Sequence, residues 1–276
     1  MKLSVITVNL NNDIGLKKTM ESVFAQTFKD FEFIIVDGAS NDNSLAVIQS
    51  FNHSIIQSFS WISEPDTGIF NAMNKGINLS KGEYLLFLNS GDFLFSATVF
   101  EEIFGAKEYK EDFICAKCAV SRNGQIEFIT NPPQNFTFKN FYNTTLAHQS
   151  TFIRVSLFSK YGKYREDLKL KSDWEFFVRT IILNQCTTIR VDVVLTDYNL
   201  DGVSAQLKNR EKQREEMNKI YSETNLSKFI PDYAYYASQT EEMKMYFWVK
   251  EKRLLNLFIQ HCYRTAKLFS KIKKSN

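Results

Sequence analysis

The chain has 276 residues, 44% of them hydrophobic and 24% charged, with 25 Phe and only 4 Pro. That balance fits one sizeable α/β core plus an appendage and excludes a disordered or linker-rich chain. The net charge of +3 is uneven: residues 205–276 hold 15 Lys and Arg against 8 Asp and Glu, whereas residues 1–204 hold 19 against 23. Positive charge is a property of the C-terminal quarter.

No run approaches the roughly 18 apolar residues of a membrane-crossing helix. The start, Met1-Lys2-Leu3-Ser4-Val5-Ile6-Thr7-Val8-Asn9, turns polar too soon for a signal peptide and reads as a strand over 3–8. A helix follows over 14–26, with Leu16, Met20, Val23 and Phe24 on one face. Next come a strand over 31–36, a short helix over 44–51, a weak strand over 58–63 and a helix over 69–79 that turns Phe70, Met73 and Ile77 inward. A strand over 84–88 completes a β-α alternation, which predicts a mostly parallel central sheet with right-handed crossovers.

Beyond residue 100 the periodicity weakens. Two strands over 112–120 and 125–130 flank the turn Arg122-Asn123-Gly124 and predict a hairpin. A helix is expected over 172–183 with Trp174, Phe177, Val178 and Ile181 inward, then a last strand over 187–195 and a polar turn at Asp201-Gly202. Cys115 and Cys118 fall in a strand pattern with no second cysteine pair, so a four-ligand zinc site is not expected. Reduced cysteines in a chain without an export signal fit the cytosol.

Two strands end abruptly in carboxylate-bearing turns, Val36-Asp37-Gly38-Ala39-Ser40-Asn41-Asp42 and Leu88-Asn89-Ser90-Gly91-Asp92. Open parallel sheets bind ligands at the carboxyl ends of their strands, so the pair suggests one composite nucleotide pocket. Each turn also has a local reading, since Asp and Asn bond readily to turn backbone. No Gly-x-x-x-x-Gly-Lys loop and no Ser/His/Asp arrangement stands out, which removes the P-loop and hydrolase readings.

Thr7-Val8-Asn9, Asp37 to Asp42, Glu64-Pro65-Asp66-Thr67-Gly68, Asn89-Ser90-Gly91-Asp92 and Ser172-Asp173-Trp174-Glu175 stand in the order seen in the inverting family 2 glycosyltransferases. The resemblance covers residues 1–204. It implies a GT-A fold, a Rossmann-like and mostly parallel sheet flanked by helices; the basic amphipathic pattern over 205–276 adds a helical extension. The resemblance also implies a nucleotide-sugar donor, with a UDP-sugar favoured, and a glycan or lipid-linked acceptor in bacterial surface-polysaccharide assembly. By position, Thr7, Asn9 and Asp37 match nucleoside contacts, and Asp66, Lys75, Asn89 and Ser90 match the donor pocket. Asp92 matches the ligand of Mg²⁺ or Mn²⁺, which would neutralise charge on the leaving diphosphate. Asp173 matches the base that takes the acceptor hydroxyl's proton, in preference to Glu175.

The sequence departs from the family at Asn89, where the first acid of an Asp-x-Asp pattern is missing, and at Asn71, often acidic in relatives. Lys75 is equally readable as a solvated helix end, and His148 as a satisfied structural histidine. Two rivals therefore stay open: a relative that binds without turnover, and a sugar nucleotidyltransferase. The second would want a Gly-rich basic loop where Asn9-Leu10-Asn11-Asn12-Asp13 stands. Residues 244–274 alternate basic positions with an apolar stripe through Leu254, Leu255, Phe258 and Cys262. Such a helix suits an anionic membrane surface at the inner face of the cytoplasmic membrane, the catalytic domain, or a second copy in a homo-oligomer. Nucleic acid is not an expected partner, because no reader fold accompanies the charge.

Overall fold

Strand β1 (Leu3–Asn9) is buried along its whole length, as is β2 (Phe31–Asp37). Strands covered on both faces read as near-continuous apolar runs, which accounts for these two segments. In the computed structural model of the protein, β1 pairs in parallel with β2 and with β4 (Tyr84–Phe87), and β2 with β3 (Ser58–Ser63). The structure describes residues 1–51, 58–122, 124–142, 145–199 and 209–235, with single residues at 239, 244, 245, 248, 252, 257, 259, 260 and 262. The turn at Asp201-Gly202 lies outside the described residues, as does most of the helix expected over 244–274.

Among the described residues one sheet runs β3-β2-β1-β4-β8-β6-β9-β5, with β7 paired to β6. Here β5 is Phe93–Leu94, β6 Phe113–Arg122, β7 Gln125–Ile129, β8 Thr151–Arg154 and β9 Thr188–Asn199. The expected hairpin is β6 and β7, antiparallel with Arg122 opposite Gln125. The second half of the sheet differs from a purely parallel plan. Strand β8 is antiparallel to both β4 and β6, and β5 to β9, while β6 and β9 are parallel. Segments as short as β5 and β8 carry too few residues for a period to show.

Helices α1 (Asp13–Phe24), α2 (Ser44–Ser50) and α3 (Ile69–Leu79) are the crossovers of the parallel half, and α4 (Val99–Phe104), α5 (Phe138–Tyr142) and α6 (Ser156–Tyr161) follow in the second half. α1 buries Leu16, Met20, Val23 and Phe24, and α3 buries Phe70, Met73 and Ile77, as their spacing predicts. Each such side chain contributes roughly 1.5–3 kcal/mol when removed from water. Around β4 the packing is aromatic. Tyr164 stands 5.4 Å from Phe87 and 5.3 Å from Phe176, and Phe158 stacks on Phe176 at 4.6 Å. Ring pairs of this kind contribute about 0.5–1.5 kcal/mol beyond their burial. They anchor β4 and the chain leading into α7 (Ser172–Phe177) to that helix, whose helical turn continues with π-type bonding through Val178–Leu183.

The chain forms two compact units, Met1–Glu216 and Met217–Asn276. The sheet lies in the first; helix α8 (Arg210–Glu223) carries the chain across the boundary. Among the described residues no helix is long and apolar enough to cross a membrane.

Candidate active site

Asn9 and Asp37 end β1 and β2 directly opposite each other. The Asn9 amide donates to Asp37 Oδ1 at 2.8 Å and to Ser44 Oγ at 2.9 Å. Asp37, fully buried, also accepts from Ser40 N at 2.9 Å, Ser40 Oγ at 2.5 Å and Ser63 Oγ at 2.7 Å. Burial alone would raise its pKa; the hydrogen bonds from Ser40, Ser63 and Asn9 outweigh it and hold the carboxyl below the ordinary range. Both oxygens are engaged within the protein, so Asp37 fixes the turn that holds Ala39 at a φ of 59°. Thr7, inside β1, is also fully buried and donates to the Leu88 carbonyl at 2.6 Å.

Gly38 brings the next carboxylate close. A Cβ there would sit 2.5 Å from Asp66 Oδ2, so only glycine leaves Asp66 its place. Asp66 Oδ1 accepts from Gly68 N at 2.9 Å. Unlike Asp37, Asp66 keeps exposed surface. Lys75 Nζ binds Glu64 Oε1 at 2.8 Å and the Pro65 carbonyl at 2.8 Å. It thereby ties the 64–68 loop to α3.

The turn after β4 is held from the β1–α1 side. Asn12 Nδ2 donates to the Ser90 carbonyl at 3.0 Å, and Thr19 Oγ1 accepts from Gly91 N at 3.0 Å and donates to the Asp92 carbonyl at 2.6 Å. Gly91 has a φ of 106°, a conformation that other residues adopt only under strain and that turns Asp92 inward. Asp92 is 9% exposed. Burial pushes its carboxyl up to about 7; the His148 charge pulls it down and the Asp197 charge pushes it up.

His148 joins this turn to α7. Its Nε2 is 3.2 Å from Asn89 Nδ2, and its Nδ1 is 3.4 Å from Asp173 Oδ2. Burial works to lower the imidazole pKa, but Asp173 first, and then Asp92, hold it above the ordinary value. Glu175 faces elsewhere: it is bound by Arg179 Nε at 2.8 Å and Nη2 at 3.0 Å. The structure thus brings Asn89, Asp92 and Asp173 together around His148, and leaves Glu175 in a structural ion pair. Sequence reasoning gave no role to Asp197 on β9 or to Glu166, which binds Asn74 at 2.8 Å and Asn71 at 2.9 Å. The residues they act on, Asp92 for Asp197 and Asn71 and Asn74 for Glu166, lie far along the chain, so no local pattern marks them.

A divalent metal fits the donors present. Among the described residues no three His, Cys, Asp or Glu side chains converge as a cluster. Asn89 Oδ1 and Asp197 Oδ1 are buried without a hydrogen-bond partner, and Asp92 adds a buried carboxylate. Hard cations such as Mg²⁺ favour oxygen ligands and are held by one or two carboxylates plus substrate phosphates and water. Cys115 and Cys118 are buried free thiols on β6, with burial pushing the Cys115 thiol up to about 12.

A half-parallel sheet whose strand ends and one helix start gather carboxylates at a single edge is the GT-A glycosyltransferase plan. The solved structure of S. aureus TarS 1–349 in complex with UDP superposes with a TM-score of 0.60 at 20% identity, covering 72% of this chain and 60% of that one. A mannosyltransferase, PcManGT from Pyrobaculum calidifontis in complex with GDP-Man and Mn²⁺, superposes with a TM-score of 0.59 at 11% identity, over 80% of this chain and 63% of its own. The chain belongs to glycosyl transferase family 2, whose model matches residues 4–165. A PGL/p-HBAD biosynthesis glycosyltransferase of Mycobacterium bovis is 28% identical over 214 residues, 75% of this chain and 81% of the relative.

Proposed function

We propose that this protein transfers a sugar from a nucleotide-sugar donor, with UDP favoured as the nucleotide, to an acceptor hydroxyl with inversion at the anomeric carbon. The observation that carries the reading is the position of Asp173. It opens α7, touches His148, and through it lies beside the Asn89–Asp92 turn where a diphosphate would sit. Asp173 takes the acceptor proton as the hydroxyl oxygen attacks opposite the leaving diphosphate. His148 holds that carboxylate in place and links it to the Asn89–Asp92 turn. Asp92, with the free oxygens of Asn89 and Asp197, would hold Mg²⁺ or Mn²⁺, and Asp66 and Ser90 border the donor. A bound metal would neutralise charge building on the leaving diphosphate. TarS in complex with UDP supports the choice of nucleotide, and PcManGT in complex with Mn²⁺ supports the metal.

The acceptor is a glycan or lipid-linked hydroxyl in surface-polysaccharide assembly at the cytoplasmic face of the membrane. The relative in PGL/p-HBAD biosynthesis supports a glycoconjugate setting. Met245, Trp248, Leu257 and Ile259 in the C-terminal unit are exposed, which suits a membrane surface beside basic residues. The test is thermal stabilisation by UDP, GDP, dTDP and CMP, each with and without Mn²⁺. A UDP shift that needs Mn²⁺ and vanishes in Asp92→Ala is expected. Stabilisation by none of the four would overturn the reading.

A further inference from the structure

Glu216 is a buried carboxylate that pairs with no cation among the described residues. It lies on α8, is 8% exposed, and accepts from three successive backbone amides: Lys169 N at 2.7 Å, Leu170 N at 2.9 Å and Lys171 N at 3.0 Å. Glu211 and Glu215 on the same helix are exposed, so burial is particular to this one acid. The ammonium of Lys169, whose amide Glu216 holds, donates elsewhere, to the Thr67 and Glu166 carbonyls. Burying a charge is costly unless hydrogen bonds compensate, and here amides alone do so.

Those amides belong to the segment that delivers Asp173. Lys171 precedes α7, its carbonyl accepts the first helical bond from Glu175 N at 2.9 Å, and Asp173 stands two residues further on. The other side of the segment is fixed to α3 through Glu166, whose carboxylate takes Asn71 and Asn74, and through Asn74 to Tyr164. Without Glu216, three amides in a row would lose the acceptor they share among the described residues.

We propose that Glu216 is a positioning residue for the transfer site: its carboxylate sets the 169–171 backbone so that Asp173 meets His148. The proposal rests on Asp173 being the base. A failure of that reading shows separately, as turnover that survives Asp173→Asn.

The experiment compares the full-length parent with Glu216→Ala and Glu216→Gln by amide hydrogen exchange and by the ring resonances of His148, one of only three histidines. In Glu216→Ala the 169–171 amides are expected to exchange about tenfold faster or more, since charge-assisted bonds are lost. The His148 resonances shift with them, while β1 and β2 stay protected. Glu216→Gln keeps the length and one acceptor oxygen and should fall between parent and Glu216→Ala. Unchanged exchange would overturn the proposal. So would faster exchange with unmoved His148 resonances, because the loop would then be held without placing Asp173. Loss of the whole fold in both variants overturns it too, since the effect is confined to one segment.

Discussion

His148 Nδ1 stands 3.4 Å from Asp173 Oδ2 while its Nε2 stands 3.2 Å from Asn89 Nδ2. With its proton on Nδ1 the ring donates to Asp173 and accepts from Asn89. A doubly protonated ring requires Asn89 to turn, and that also gives the otherwise unpartnered Asn89 Oδ1 a donor. Either state keeps a hydrogen on the Asp173 side, so the imidazole orients the proposed base throughout.

Asp173→Asn should therefore do two things. It removes the proposed base, and turnover falls by about 10²–10⁴-fold, the range for general base catalysis. It also removes the largest influence raising the His148 pKa, leaving burial to lower it. An NMR titration should show His148 titrating at lower pH than in the parent. The sign for stability follows: a histidine raised in the fold stabilises below its ordinary value of 6.5, and that contribution is lost as pH rises through the folded value.

Asp37→Asn tests a different function of a carboxylate. Asp37 accepts from Asn9, Ser40 and Ser63, and an amide there turns two hydrogens toward donors. Stability should drop by about 1–3 kcal/mol, with Tm lower by about 5 °C in calorimetry. Because the Asp37 pKa is lowered by these bonds, its stabilisation is present above the ordinary value of 3.8 and lost as pH falls through the folded value. The deficit of the variant should accordingly shrink in acid.

What could be read from the chain alone was set by distance along it. The apolar runs at Leu3–Asn9 and Phe31–Asp37, and the inward faces of α1, α3 and α7, are local patterns, and the fold follows them. Asp173 at a helix start is likewise a local feature. Pairings across many residues leave no such trace. Nothing near Lys75 shows that Glu64 and Pro65 claim its ammonium, and nothing near Thr7 shows that Leu88 takes its hydroxyl. His148 reads in sequence as a satisfied structural histidine, and its partners Asn89 and Asp173 reach it from two other elements. Glu216 is one acid among several on a basic segment of sequence, and only the fold shows the amides it holds.

Arg179 and Glu175 give a third test. Glu175 is 6% exposed and depends on Arg179 for its partner. Arg179→Met leaves that carboxylate buried and unpaired, and should destabilise by about 2 kcal/mol, at the low end because the guanidinium is partly exposed. Adding Glu175→Gln removes the stranded charge, so chemical denaturation should find the double variant more stable than Arg179→Met alone. Nucleotide-dependent stabilisation should be unchanged in both, since neither residue faces the Asn89–Asp92 turn.

Asp92 should run the opposite way in stability. Its ordinary value is 3.8, and burial raises it to about 7. Between those values the folded protein keeps a proton that the unfolded chain has lost, so stability falls as pH rises through that window. The penalty is complete above it and amounts to at most about 4 kcal/mol at ~1.4 kcal/mol per pH unit. Asp92→Asn carries no charge at any pH. Without metal it should melt above the parent at pH 8 and converge with it below pH 4. With UDP and Mn²⁺ the order should reverse, because the carboxylate that burdens the empty fold is the group proposed to hold the cation. Thermal scans at both pH values, with and without UDP and Mn²⁺, decide the matter. A variant that is less stable than the parent at pH 8 without metal would show that the buried carboxylate is held by bonds, not strained by burial.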